Sequence, residues 1–340
     1  MRSVGRRSLV AILGGLIILA FLTTLACSSA RAGQALIIYS GREESLVGPI
    51  IEQFSNATGI EVGVRYGKHA ELIATIEEEG SRSPADIFFG SNPDALGALS
   101  DRFVVLPDSI LTLVPEPFRS PEGKWVGISA RVRTVVYNTE TLSEADLPDS
   151  IFDFTDPQWK GRIGWAPING SFQAMVTAMR VLEGDERTRQ WLEGMKANDP
   201  MEYPNNTSIV EATGAGEIDV GFVNHYYLFR FLAEKGESFP ARNYYLKAGD
   251  PGAFILMAGA GILSTSKNQE TAEAFLEFML STVAQQYFAS QTFEYPLVEG
   301  VKTHPELLPL SQIEVPDIDP SSVTDLEGTL KLLRETGVLP

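Results

Sequence analysis

The chain has 340 residues, 44% of them hydrophobic, enough for a substantial core and, by length, about two domains. Acidic residues outnumber basic ones 44 to 27, for a net charge of −17, which repels phosphate backbones and argues against nucleic acid as a partner. One Cys and three His exclude an intrachain disulfide and a Cys-rich zinc site, and 21% charged with 9% aromatic residues exclude global disorder.

Arg2, Arg6 and Arg7 precede an apolar run over residues 9–25, and small residues follow through Ala32. A basic start, an apolar middle and a small-residue end predict a secretory signal peptide over residues 1–32. Two processing routes fit. Ala30-Arg31-Ala32 suits signal-peptidase cleavage, and Leu25-Ala26-Cys27 resembles a lipobox in which Cys27 is lipidated, with Thr24 where such a box has an aliphatic residue. A retained anchor is a third reading, since the run is barely long enough to span. Cleavage after Ala32 removes four arginines and no acids, taking the net charge from −17 to −21 and leaving a thiol-free domain, which suits an exported protein. The expected location is the periplasm or the extracytoplasmic membrane surface.

Residues 35–39 read as a buried strand ended by Ser40-Gly41. Residues 45–54 carry Leu46, Ile50, Ile51 and Phe54 at helical spacing, stopped by Asn56 and Gly59. A second strand spans 60–64, a helix 70–78, a third strand 85–89 and a further helix 92–99. This alternation predicts βαβ units and an α/β class with parallel strands. Two β-rich runs, 125–129 and 133–137, would carry the chain from one lobe to another. The pattern resumes with a strand at 162–165, a helix over 171–182, a strand at 217–223 and a helix over 227–234. Residues 253–263 form an apolar, Gly-rich run that would cross back. An amphipathic helix spans 269–280, and the chain is Pro-rich and loop-like after Tyr295 until a helix over 323–334. No internal repeat, low-complexity stretch or long linker occurs, so two α/β lobes would meet at a hinge, and hinges close over ligands. The expected division is residues 33–132 plus 260–315 for lobe 1 and 133–259 plus 316–340 for lobe 2.

The sharpest chemical feature is Asn224-His225-Tyr226-Tyr227, directly after a strand and so at a carboxyl end, where open α/β sheets bind ligands. A buried phenol needs a hydrogen-bond partner. A phenolate is a hard anionic ligand, and since Tyr ionises near pH 10 only a cation of high charge density, such as ferric ion, deprotonates it at neutral pH. Packing at a helix start is the other reading. A second pair, Tyr244-Tyr245, lies in a predicted strand at 243–247 that would point its members to opposite faces. His69 and His304 stand alone in the sequence and read as surface residues. No nucleophile elbow, P-loop, dinucleotide fingerprint or HExxH motif occurs.

Several segments carry a resemblance: Ile38-Tyr39-Ser40-Gly41-Arg42-Glu43-Glu44, Pro84-Ala85-Asp86-Ile87-Phe88-Phe89, Arg131-Val132-Arg133-Thr134-Val135-Val136-Tyr137-Asn138, Asn206-Thr207, Val223-Asn224-His225-Tyr226-Tyr227, Gly261-Ile262-Leu263 before a helix, and Phe293-Glu294-Tyr295-Pro296. Over essentially all of the mature chain these resemble the periplasmic ferric-iron-binding proteins of bacterial ABC importers. The resemblance implies a type II, Venus-flytrap α/β fold with two lobes and two hinge crossovers. It implies a non-enzymatic, monomeric carrier that delivers Fe(III) to an ABC permease in the inner membrane. It gives Tyr226 and Tyr227 the role of Fe(III) ligands. Where the family often has a His ligand this chain has Glu43, a hard carboxylate that also balances charge, although acids at a helix start are favoured in any case. Where the family has a second carboxylate this chain has Ser91, so water, an anion or His225 would replace that ligand.

The resemblance also implies a synergistic anion, carbonate or phosphate, with Arg133 or Arg131, Asn169-Gly170-Ser171 and Asn206 as its candidate holders. A guanidinium fork and backbone N–H groups at a helix start suit an oxyanion. N-capping is the other reading of Asn169 and Asn206, and a surface ion pair that of the arginines. The same fold with thiamine, polyamine, phosphonate or sulfate as ligand is the nearest alternative. An exported hydrolase using a Ser, His225 and an acid, and a sensor subunit of a signalling receptor, are more distant ones.

Overall fold

The computed structural model describes residues 35–340. The expected signal peptide and Cys27 lie outside the described residues. Strand β1 (Leu36–Ser40) leads into helix α1 (Glu44–Thr58), which runs past Asn56 and ends at Gly59 in the left-handed conformation, φ 71°. Strand β2 (Val62–Tyr66), α2 (His69–Glu79), β3 (Ile87–Gly90) and α3 (Pro93–Ala98) continue the expected alternation. β1 pairs in parallel with both β2 and β3.

The two expected β runs are one strand, β4 (Val126–Asn138), 13 residues long and buried throughout. The charge at Arg131 falls in the gap between the two expected runs, and Arg133 opens the second. In the structure both side chains are buried and hydrogen-bonded, so the ladder continues through them. Strand β5 (Ile163–Trp165) is followed by α4 (Gly170–Ala197), far longer than the pattern predicts because a second helical segment resumes after a break at Gly184, φ 81° and ψ 162°. Then come β6 (Met201–Glu202), α5 (Asn206–Ala215), β7 (Val220–Asn224), α6 (Tyr226–Lys235) and β8 (Ala241–Tyr244). The chain returns through β9 (Ile255–Ile262) to α7 (Gln269–Met279).

Helix α8 (Thr282–Gln291) escapes the sequence pattern because its polar residues do inward work. Fully buried Gln285 donates to the carbonyls of Ile128 at 2.7 Å and Met279 at 2.9 Å and accepts from Leu297 N–H at 2.8 Å. Strand β10 (Tyr295–Pro296) and α9 (Leu326–Glu335) complete the chain.

The strand order is β2-β1-β3-β9-β4-β7-β5-β6. One sheet holds β2, β1, β3, β9 and the first half of β4, which β9 pairs through Val132, with β10 on its other side at Ser129 and Ala130. From Arg133 onward β4 changes partners and lies between β7 and β8, with β5 and β6 beyond β7. Each half of β4 therefore has a strand on both sides, which explains why none of it reaches solvent. Helices cover these sheets, as parallel strands require.

Close approach of β4 and β9 depends on glycine. Gly127 and Gly259 face each other in register, and a Cβ at Gly259 would stand 2.7 Å from the Val126 carbonyl oxygen and 2.8 Å from Leu96 Cδ1. Gly259→Val is expected to destabilise the fold by about 1–3 kcal/mol through overpacking, read as a lower midpoint in denaturant unfolding at unchanged slope.

Candidate functional site

The loops after β1, β3 and β7 and the starts of α2, α4 and α6 converge on a cavity of about 290 Å³. Its walls include Arg42, Glu43, His69, Ser91, Arg131, Gly170, Ser171, Asn224, Tyr226 and Tyr227. Strand carboxyl ends and helix N-termini thus meet at one place, the position open α/β sheets use for ligands. β7 ends at Asn224, and α6 begins at once with Tyr226 and Tyr227 in its first turn. Both are buried, with rings stacked at 4.2 Å between centroids and 28° between planes. The Tyr227 hydroxyl donates to Glu43 Oε1 at 3.4 Å. Glu43 is exposed and stands at the N-cap of α1 without a side-chain hydrogen bond to that helix, so its carboxylate is left to the Tyr227 phenol.

Burial raises the pKa of Tyr226, with Arg42 and Arg131 pulling the other way. Burial, the neighbouring Tyr226 and Glu43 hold Tyr227 well above the usual phenol value. Both phenols are therefore neutral when the cavity holds no cation, and only a strongly charged one would ionise them. Among the described residues no cluster of three or more His, Cys, Asp or Glu side chains is placed to hold a metal.

Three buried guanidinium groups surround the tyrosines. Arg42 is ion-paired with Glu294, whose other oxygen accepts from Ser129 Oγ. Burial would raise the Glu294 pKa, but Arg42 and Arg131 outweigh it and hold the carboxyl below its ordinary value. Arg131 donates to the Ser91 carbonyl and to Asn92 Oδ1 at 3.2 Å. Arg133 donates through Nη1 to Ser171 Oγ at 3.3 Å, Asn206 Oδ1 at 3.2 Å and Asn224 Oδ1 at 3.1 Å. Burial lowers the pKa of Arg131 to about 10, with Arg42 adding to the effect, and that of Arg133 to about 9. Nε and Nη1 of Arg131 and Nε and Nη2 of Arg133 are buried without hydrogen-bond partners. Neither arginine is in a surface ion pair; together they form a positive wall with donors to spare.

Asn169 caps α4, accepting from Ser171 N–H at 3.0 Å, and Asn206 Nδ2 donates back to it at 3.2 Å. The cap of α5 is Asn205, not Asn206. Asn206 instead accepts from the Asn224 N–H at 3.1 Å and ties the α4 and α5 starts to the end of β7. Asn169, Gly170 and Ser171 line the cavity with Arg131, while Arg133 and Asn206 stand directly behind them.

His225 does not reach the cavity. Its Nδ1 accepts from Val132 N–H at 3.2 Å and its Nε2 donates to the Phe293 carbonyl at 2.8 Å, so both ring nitrogens are engaged and it offers no replacement ligand. Tyr244 bonds Asp149 at 2.8 Å at the end of β8, Tyr245 lies beyond that strand, and neither lines the cavity. His304 rests against Phe293 away from the site. His69 is the residue that sequence alone missed. It is half-buried in the cavity wall, with Nε2 accepting from Ser91 N–H at 3.0 Å. Its only signal was its place at the start of the helix after β2.

Residues 83–320 match the family described as bacterial extracellular solute-binding protein. The chain belongs to that family. It is 36% identical over 334 residues to the Fe(3+)-binding periplasmic protein of Serratia marcescens, with 97% of each chain covered. It is 34% identical over 311 residues to the major ferric iron-binding protein of Neisseria meningitidis serogroup A, covering 89% of this chain and 93% of that protein. Among solved structures, iron-bound HitA from Pseudomonas aeruginosa superposes with a TM-score of 0.86 at 35% identity, over 89% of this chain and 99% of that one. The fold is the type II periplasmic binding-protein fold, as expected from the sequence, and the family relationship is as the resemblance implied.

The buried Arg42–Glu294 pair supports the loop that carries Glu43. Glu294→Gln is expected to destabilise the protein by about 3–5 kcal/mol, since it leaves a buried guanidinium without its counter-charge. The Glu294 carboxyl is held below its ordinary 4.5, so this stabilisation is present above about pH 4.5 and is lost as the pH falls through the lower folded-state value. Denaturant unfolding of both proteins across that acid range should show their stabilities converging as the pH falls.

Proposed function

We propose that this protein is the substrate-binding component of an ABC importer that captures ferric ion in the cavity and delivers it to a permease in the inner membrane. Tyr226 and Tyr227 bind Fe(III) as phenolates and Glu43 as a carboxylate. A small oxyanion, carbonate or phosphate, completes the coordination, held by Arg131, the α4 start at Asn169-Gly170-Ser171, and the Arg133 and Asn206 network behind it. The observation that carries this reading is the stacked, buried Tyr226–Tyr227 pair at the cavity, with Glu43 on one hydroxyl. Three hard anionic oxygens balance the charge of a trivalent ion, and the unpartnered guanidinium N–H groups suit the accompanying anion.

In this reading residues 33–132 with 260–315 and residues 133–259 with 316–340 are two lobes that close around the cargo, and the protein works as a monomer and not as an enzyme. Its site is periplasmic or on the outer face of the inner membrane, with export directed by residues 1–32. The Serratia marcescens relative, a Fe(3+)-binding periplasmic protein, supports the ferric cargo and the periplasmic location, and the Neisseria meningitidis ferric iron-binding protein supports the cargo.

Buried Arg131 and Arg133, neither of them paired with a carboxylate among the described residues, argue against an organic cation such as thiamine or a polyamine, which they would repel. The same guanidinium groups favour a second reading in which the ligand is an oxyanion alone, sulfate or a phosphonate. A hydrolase is disfavoured. The one serine–imidazole contact at the cavity, Ser91 Oγ to His69 Nε2 at 2.9 Å, shares that nitrogen with the Ser91 N–H, which occupies the base's lone pair.

Titration with ferric citrate distinguishes these readings. Purified protein should develop a visible phenolate-to-iron charge-transfer band, and Tyr226→Phe with Tyr227→Phe should abolish it. A colourless wild-type titration with heat released on adding sulfate or a phosphonate would replace ferric ion by the anion as ligand.

A further inference from the structure

His69 stands between loops of the two sheets. Its Nε2 accepts from the Ser91 backbone N–H at 3.0 Å and lies 2.9 Å from Ser91 Oγ. A backbone N–H can only donate, so Nε2 carries the lone pair and the ring proton sits on Nδ1. Burial, then Arg131 and Arg42, lower its pKa to about 4, and the imidazole is neutral at neutral pH.

Two glycines make room for this ring. A Cβ on Gly41 would stand 2.1 Å from His69 Cδ2 and 2.3 Å from Nε2, and its three nearest atoms all belong to that ring. A Cβ on Gly170 would stand 3.0 Å from His69 Nδ1 and 3.3 Å from Cε1. Gly41 follows β1 in the first sheet, and Gly170 opens α4 after β5 in the second. The ring therefore spans the seam. Ser91, in the place where the resemblance puts a second carboxylate, is tied to the same ring by its N–H and hydroxyl, and to Arg131 by its carbonyl.

We propose that His69 is a positioning residue that latches the closed cavity, a neutral wedge held by Ser91 and Gly41 on one side and abutting Gly170 on the other. It replaces a metal ligand with a closing contact: the chain gives up one coordinating carboxylate at position 91 and fixes that loop against the facing helix start instead. This rests on the ferric-capture reading for its effect on cargo, while the contact itself does not require iron.

Release of ferric ion to excess chelator, timed by loss of the visible band, reads the latch. His69→Ala should release iron several-fold faster, because it removes the ring that packs against Gly170 across the seam, with the band at its original wavelength because His69 does not coordinate. Gly41→Ala should accelerate release similarly, since its methyl displaces the ring, and should add nothing in the His69→Ala background. His69→Gln, which keeps an acceptor for the Ser91 N–H, should recover part of the wild-type rate. Wild-type release from His69→Ala, a shifted band, or additive effects of the two substitutions would overturn the proposal. Small-angle scattering of the iron-free protein gives a readout separate from the ferric reading. His69→Ala and Gly41→Ala should both have a larger radius of gyration than the wild type, and equal radii would overturn the latch whatever the protein's affinity for iron.

Discussion

Two positive charges on one face of a buried strand organise this molecule. Residues 131 and 133 are two apart on β4 and so share a face, at the point where the strand leaves one sheet and enters the other. Neither arginine has a carboxylate partner among the described residues, and burying a charge without compensation is costly. The chain meets that cost with neutral oxygens drawn from every direction: the Ser91 carbonyl, Asn92, Ser171, Asn206 and Asn224. Satisfying the two guanidinium groups pulls the ends of β3 and β7 and the starts of α4 and α5 to one place, and the cavity is what lies between them.

The same charges set what the cavity accepts. Donors left without partners on both arginines create a field that favours anionic oxygen, and the cavity supplies phenols that are neutral until something ionises them. In the proposed reading a trivalent cation would resolve both demands: it would convert Tyr226 and Tyr227 into phenolates, and those anions and an accompanying oxyanion would then lie beside the guanidinium wall. Cargo and protein charge are balanced only together, which gives a physical reason for capture to favour the closed arrangement. The buried Arg42–Glu294 pair contributes no net charge and instead fixes the loop on which Glu43 sits.

Much of this was legible in the sequence because it follows local rules. Period-2 and period-3.6 patterns gave the alternating strands and helices, and Tyr226-Tyr227 was recognisable from its position directly after an apolar strand. What escaped was non-local. β4 read as two strands because Arg131 breaks the apolar pattern, and only the partners 38 to 91 residues away along the chain explain why it and Arg133 are tolerated inside a sheet. Helix α8 was hidden because Gln285 looks like a surface residue until its four backbone partners are known. Capping was one reading of Asn206 beside anion binding, but Asn205 caps the helix and frees Asn206 for Arg133. His69 carries no motif; the room for its ring comes from two glycines, one 28 residues before it and the other 101 residues after it.

The central claim is that this cavity binds ferric ion through oxygen alone, with no imidazole in the coordination shell. X-ray absorption at the iron edge of the ferric-loaded protein tests it most directly. The account predicts a shell of oxygen scatterers, including short phenolate bonds, without the outer-shell multiple scattering that a coordinated imidazole produces. An imidazole signature from His69 or His225, or a protein that retains no iron on desalting, would contradict it.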